Sequence, residues 1–485
     1  MTTEAQSLPR IIQGGMGVAI SSWKLANTVS KLGHLGVVSG TGVALVLIGR
    51  LMDGDEGGHV RRALAAFPVK DVAQKIIDKY YIEGGKSATT PYKRATLWSV
   101  NPPRDLNQIT AVANFVEVWL AKEGHNNSVG INLLEKVQLP NLASMYGAML
   151  AGVDYVIMGA GIPMQVPGAL DEMSQHKSFS YRLDVIGAEE DVFITFDPED
   201  VFPGIADLVG PLKRPNFLPI VSSWILANAL KKRANGEIQG YVIEMPTAGG
   251  HNAPPRVAAF NERGEPIYGE KDAIDLEKFR KMDMPFWLAG GYGNAEKMKE
   301  ALEEGASGVQ VGTAFAYCNE SGMDQKLREQ VIDMVLNGEI DVVTSATASP
   351  TGFPFKVVQV SGSTSDDDVY QARERICDVG FLRQLYAEED GKVNYRCPAA
   401  PIDGYLKKGG KLEDTEGRMC LCNHLGAAAG FSQYKKNGMM EPPVVTSGDD
   451  LPNIKQFMKD GKKTYSAAEV IEMMMQGIPE QQATF

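Results

Sequence analysis

The sequence predicts an α/β chain whose main body is a (β/α)8 barrel of the TIM type, and three observations carry that expectation. From Ile11 to about Phe315, short β-branched runs alternate with amphipathic helical stretches, the pattern of a parallel sheet covered by helices. Two successive runs end in glycine turns, Leu288-Ala289-Gly290-Gly291-Tyr292-Gly293-Asn294 and Gly308-Val309-Gln310-Val311-Gly312-Thr313. A third, Tyr241–Glu244, is followed shortly by Ala248-Gly249-Gly250-His251-Asn252. Alternation alone suits either a closed barrel or an open doubly wound sheet. The paired turns decide for the barrel, because the loops after strands 7 and 8 of such barrels often share one phosphate site.

In chain order, Ile11-Ile12 opens a strand that runs into Gln13-Gly14-Gly15-Met16-Gly17. Ser22 to Lys31 reads as a helix and Leu35–Ser39 as the second strand. Residues 41–127 interrupt the rhythm as an inserted, largely helical segment, with helices expected at Val72–Ile82 and Gln108–Lys122. Strand Val129–Leu133, a helix at Leu142–Ala151 and strand Tyr155–Gly159 follow. Asp184–Phe196 is expected to supply another strand, ahead of Phe217–Val221, Tyr241–Glu244, Phe286–Ala289 and Gly308–Val311. The barrel is drawn over residues 1–350. Residues 351–485 form a C-terminal extension of mixed helix and loop, expected to pack on or near the barrel mouth. Its Met473-Met474-Met475, in a helix at Ala467–Gln476, reads as core filler. Asp366-Asp367-Asp368 and Glu388-Glu389-Asp390 read as solvated turns.

Composition bounds the function. The 485 residues exceed what one compact core usually organises, and 44% hydrophobic with 22% charged residues is ordinary for a globular chain. A net charge of −12 argues against a nucleic-acid partner, which needs concentrated Lys and Arg. The most apolar early run, Leu35 to Gly49, falls short of the roughly 20 residues a membrane span requires, so no membrane segment is expected. Met1 to Arg10 lacks the pattern of a secretion signal. Five cysteines in a chain read this way suit a reducing, cytoplasmic setting.

The chemistry concentrates at strand ends. Glycines at 290, 291 and 293 let backbone N–H groups approach an anion, and Asn294 can cap the helix that follows. His251 comes after a glycine pair at a strand's C-terminal end, where barrel enzymes keep their sites. Its imidazole can take a proton or hold an anionic substrate. Gly15 and Met16 offer a backbone donor and a soft thioether to an aromatic ring system. Asn132 ends the third strand. Cys397, Cys420, Cys422 and His424 include the four kinds of position a Cys3His site needs, but Cys-x-Cys departs from zinc spacing, so packed free thiols and no metal are expected. His34, His59, His125 and His176 have no comparable strand-end setting.

Taken in order, Pro9-Arg10-Ile11-Ile12-Gln13-Gly14-Gly15-Met16-Gly17, Gly130-Ile131-Asn132-Leu133, Ala248-Gly249-Gly250-His251, Ala289-Gly290-Gly291 and Gly308–Thr313 resemble the nitronate monooxygenase family, formerly 2-nitropropane dioxygenases. FMN-dependent enoyl-acyl-carrier-protein reductases share its fold. The resemblance implies FMN at the C-terminal ends of the strands. Gly290, Gly291, Gly312 and Thr313 would hold the phosphate, with Ala289, Gly249 and Gly250 alongside. Gly15, Met16, Asn132 and Gln310 would lie by the flavin, and His251 would be the catalytic residue facing substrate. The implied reaction oxidises nitronates with O2 to a carbonyl compound and nitrite. The alternative is NAD(P)H-dependent reduction of an enoyl chain in fatty-acid or polyketide synthesis. The implied partners are a nitronate or enoyl-type small molecule and O2 or NAD(P)H, with an acyl carrier protein and a homodimer left open. One departure is local: Asn252-Ala253-Pro254-Pro255-Arg256 follows the histidine where much of the family has glycine, and two prolines stiffen that loop.

Overall fold

The computed structural model describes residues 8–459 and 461–479. Most of Met1 to Arg10, where a secretion signal was sought, lies outside them. Eight parallel strands form one sheet, here numbered β1 (Ile11–Gln13), β2 (Gly36–Ser39), β3 (Val129–Leu134), β4 (Tyr155–Gly159), β5 (Asn216–Val221), β6 (Tyr241–Glu244), β7 (Phe286–Ala289) and β8 (Gly308–Val311). Their order is β1-β8-β7-β6-β5-β4-β3-β2. The remaining seam joins β1 to the start of β2. Gln13 N–H donates to Leu35 O at 2.9 Å, and Leu35 N–H donates to Ile11 O at 3.0 Å. The sheet is therefore a closed barrel, as expected.

The strands read as continuous apolar runs because both faces are covered. Ile12, Val37, Ile157, Leu218, Val242 and Trp287 meet in the barrel interior, each without solvent exposure. Trp287 also donates from its indole N–H to Pro9 O at 2.7 Å, tying the bottom of the barrel to the incoming chain. Most expected boundaries move by a few residues. The helices in the 41–127 segment run Val43–Met52, His59–Ala66, Lys70–Tyr80 and Arg104–Lys122. The last begins just after Pro103, whose fixed φ suits the entry to a helix.

One expected strand lies elsewhere. Asp184–Phe196 does not enter the barrel: Val192–Phe196 pairs antiparallel with Phe179–Leu183 as a ribbon beside it. Alternating burial in both strands marks a ribbon with one covered face, unlike the fully buried barrel strands.

Described residues beyond 350 share the barrel's core. Val445, Leu451, Ile454, Phe457 and Tyr465 pack in the same apolar cluster as Ile243, Leu288 and Val309. A hairpin, Val342–Ser345 with Phe355–Val358, leads into this part of the chain, and Val358 N–H donates to Val445 O at 2.9 Å. The segment reaching back to the barrel is anchored by Glu441, which has no solvent exposure and pairs with Arg373 and with Lys435 at 2.7 Å. His424 Nε2 lies 3.1 Å from the same carboxylate. Burial nonetheless lowers the His424 pKa to about 4, so the ring stays neutral. Burial pushes the Glu441 pKa up, but hydrogen bonds from His424 and Lys435 and the charge of Arg373 outweigh it and lower the pKa to about 2. The five cysteines are free, and among the described residues no group of three or more His, Cys, Asp or Glu is arranged to hold a metal ion.

Two predictions follow from this packing. Gly147, on helix Asn141–Leu150, lets that helix approach Arg104–Lys122 so closely that an added Cβ would sit 1.9 Å from Ala111 O. Gly147→Ala is expected to cost about 1–3 kcal/mol, measured by urea unfolding. Glu441→Gln leaves Arg373 and Lys435 buried without their counter-ion and is expected to cost about 3–5 kcal/mol. Because Glu441 has a depressed pKa in the folded state, its stabilisation is present above the ordinary glutamate range. It is lost as pH falls from there toward about 2, and the variant's denaturation midpoint should lose that part of its acid slope.

Candidate active site

The C-terminal ends of the strands open into one cavity, and all twelve residues singled out from sequence line it. β1 brings Gly15 and Met16, β3 brings Asn132, and the turn after β6 brings Gly249, Gly250 and His251. β7 contributes Ala289, Gly290 and Gly291, and β8 contributes Gln310, Gly312 and Thr313. Their close approach depends on glycine. A Cβ at Gly15 would fall 2.0 Å from Asn132 Cβ. Gly290 has φ +96°, which an L side chain rarely adopts, and Gly291 follows at +81°. Asn294 caps the next helix, accepting from Lys297 N–H at 2.8 Å. Gly14 N–H donates to Val311 O at 2.8 Å, which draws the first and last strand ends together.

His251 is held from behind by the hairpin. Lys356 N–H donates to Gly250 O at 3.0 Å and Asn252 N–H to Pro354 O at 2.9 Å, and the ring lies edge-on to Phe355. Its Nε2 is 2.7 Å from Ser349 Oγ, whose side chain is fully buried. Burial, with a further push from the Lys136 charge, lowers the His251 pKa well below its usual value. The imidazole is therefore neutral near pH 7, and any anion it holds is held by a hydrogen bond rather than by a full charge.

Sequence reading missed two other groups. Glu244 ends β6 and faces the cavity, and burial raises its pKa to about 7 against the pull of Lys136. Lys136 lies just past β3 with its ammonium 4.2 Å from the Phe353 ring. Burial lowers its pKa to about 7, opposed by Glu135 and Glu244. Glu244 had a signal, since it is a carboxylate at the end of an otherwise apolar strand. Lys136 had none, because Thr351 and Phe353, which it meets, come from the distant loop between the hairpin strands.

The C-terminal part of the chain supplies one wall. Phe381, Leu382, Leu421, Leu425 and Val444 make an apolar surface opposite the strand ends. The turn Thr446-Ser447-Gly448 packs onto the glycine turns: Gly250 N–H donates to Thr446 Oγ1 at 2.9 Å and Gly448 N–H to Thr313 Oγ1 at 3.1 Å. The Thr313 side chain is also hydrogen-bonded to Asp450. Gln310 Oε1 is buried in the cavity wall with no hydrogen-bond partner. Burial raises the Asp450 pKa.

Residues 214–350 match the family model described as nitronate monooxygenase. Over 147 residues the chain is 28% identical to a nitronate monooxygenase of Paraburkholderia phytofirmans, covering 30% of this chain and 37% of that protein. Over 105 residues it is 35% identical to a nitronate monooxygenase of Pseudomonas aeruginosa, covering 22% and 27%. The matched stretches thus span well under half of these relatives. Among solved structures, FabK from Thermotoga maritima aligns with 97% of this chain and 93% of its own, at 15% identity and a TM-score of 0.47. The matched residues 214–350 run from β5 past β8 and carry His251 and both strand-end glycine turns.

Proposed function

We propose that the protein is an FMN-dependent oxidoreductase of the nitronate monooxygenase type, oxidising nitronates with O2 to a carbonyl compound and nitrite. The observation that carries this reading is the meeting of His251 with the Gly290-Gly291 and Gly312-Thr313 turns in one cavity at the strand ends. Flavin mononucleotide fits the free groups there. Gln310 Oε1 is an orphaned acceptor suited to a ring N–H, and Gly15 and Met16 line the same cavity. None of the described residues lining the cavity is Lys or Arg, so a phosphate would be met by neutral donors: backbone N–H groups and the Thr313 and Ser447 hydroxyls. Asp450 suits that cradle in its neutral form, which burial favours.

FMN held there would supply an electron-accepting centre that oxygen can reoxidise. The chain's own residues position and protonate. Met16 and Asn132 line the cavity and would flank and orient the ring system. His251, neutral and braced by Ser349, offers its second ring nitrogen to the substrate as a base or a hydrogen-bond donor. We assign residues 1–350 to the flavin barrel and 351–485 to the part of the chain that supplies the cavity's C-terminal wall. The helices of the described residues include none long and apolar enough to cross a membrane, and we place the protein in the cytoplasm.

A second reading is favoured by that same wall. Phe381, Leu382, Leu421, Leu425 and Val444 would suit a hydrocarbon chain better than a small nitronate, as an NAD(P)H-dependent enoyl reductase requires. A carrier protein delivering that chain would dock at the mouth.

The FMN-loaded protein mixed anaerobically with propionate 3-nitronate is expected to lose its oxidised-flavin absorbance and to release nitrite when air is admitted. Rapid bleaching by NADH or NADPH, with none by the nitronate, would replace the first reading with the second. His251→Ala should slow the productive reduction by about 100-fold or more. Gly290→Val, forced into a left-handed φ against Thr247, is expected to purify without flavin absorbance and to bind added FMN weakly.

A further inference from the structure

His251 is connected to a buried amine. Its Nε2 lies 2.7 Å from Ser349 Oγ, Ser349 Oγ lies 2.8 Å from Thr351 Oγ1, and Lys136 Nζ donates to Thr351 Oγ1 at 3.5 Å. Ser349 has no solvent exposure, so water does not interrupt the middle of the chain. The other ring nitrogen, Nδ1, makes no hydrogen bond among the described residues, and His251 lines the cavity. Nδ1 is thus the nitrogen available to a bound molecule.

A hydroxyl has one proton to give, and an ammonium can only donate. When Lys136 is charged, the favoured order runs from ammonium to Thr351, from Thr351 to Ser349, and from Ser349 to His251. Nε2 then accepts, and the proton of the neutral ring sits on Nδ1. When Lys136 is neutral, its lone pair can accept and the order can reverse. Nε2–H then donates to Ser349, and Nδ1 presents a lone pair.

We propose that the charge of Lys136 selects the tautomer of His251 through Thr351 and Ser349, making the imidazole a proton donor to the cavity when the amine is charged and a proton acceptor when it is neutral. Lys136 is a positioning residue in this scheme, because it acts only through the two hydroxyls. Burial brings its pKa to about 7, where such a switch operates under ordinary conditions. The groups facing it are Glu135 and Glu244, which favour the charged amine, and His251. Glu135 in turn accepts from Gln138 at 2.9 Å and Tyr181 at 3.2 Å and feels the charge of Asp184. The catalytic meaning rests on the proposed role of His251, but the switch itself needs no substrate.

The test is long-range proton–nitrogen NMR on the full chain labelled with 15N-histidine, with His251 assigned from the signal missing in His251→Gln. As pH rises from about 5.5 to about 8.5, wild-type His251 should change from the Nδ1–H to the Nε2–H pattern. The midpoint should fall near the Lys136 pKa of about 7. Lys136→Met and Ser349→Ala should each lose that transition. If Lys136→Met fails to fold, Lys136→Arg serves instead: its permanent charge should hold the Nδ1–H pattern throughout. One unchanging tautomer in the wild type, or the same transition in the Lys136 variants, would overturn the proposal. A protein that switches tautomer but neither binds FMN nor turns over would sink the functional reading and leave this one standing.

Discussion

The closing seam between β1 and β2 is the constraint on which the site depends. β1 has only three residues, and part of its second edge is completed by a side chain rather than by backbone: Gln13 Oε1 accepts from Val37 N–H at 3.0 Å. The same side chain donates from Nε2 to Ser21 Oγ at 2.7 Å, and that hydroxyl accepts from Met16 N–H at 2.8 Å. One fully buried glutamine therefore links barrel closure to the turn that carries Gly15 and Met16. An open sheet would leave β1 and β2 as separate edges and would not bring Asn132 opposite His251 and Thr313.

Closure also sets the electrostatics. Burial at the strand ends moves the ionisable groups in and around the cavity toward their neutral forms. Glu244, Asp450, Lys136 and His251 all shift in that direction, and burial is the first cause for each. A site made of near-neutral acids and bases suits proton movement around a redox cofactor better than it suits tight capture of a charged ligand. Charge is kept instead in the Glu441–Arg373–Lys435 cluster, where it pins the segment that delivers Thr446, Ser447 and Gly448 to the glycine turns.

That arrangement makes the C-terminal extension part of the site rather than an appendage. Its hydrophobic side chains share a core with the barrel, and its 446–448 turn lies so close to Gly249 that an added Cβ there would sit 2.8 Å from Gly448 N. The hairpin ahead of it supplies Ser349 and Thr351, the link between His251 and Lys136. Ala160, at the end of β4, keeps a left-handed φ of +58° while lining the same cavity, a strain that its surroundings must hold in place.

The sequence by itself determined the barrel and the ring of residues at its mouth. Each depends on local signals: buried parallel strands read as apolar runs, and turns that must approach an anion or a ring need glycine at set offsets from the strand end. His251 was legible because it stands next to such a turn. Tertiary structure alone decided what surrounds it. Lys136 meets Thr351, and Thr313 meets Gly448, across separations of more than a hundred residues with no period or spacing to announce them. The Asp184–Phe196 run shows the same limit from the other side. Its β propensity was real, but whether it entered the barrel depended on which partner covered its face, and Phe179–Leu183 was the nearer one.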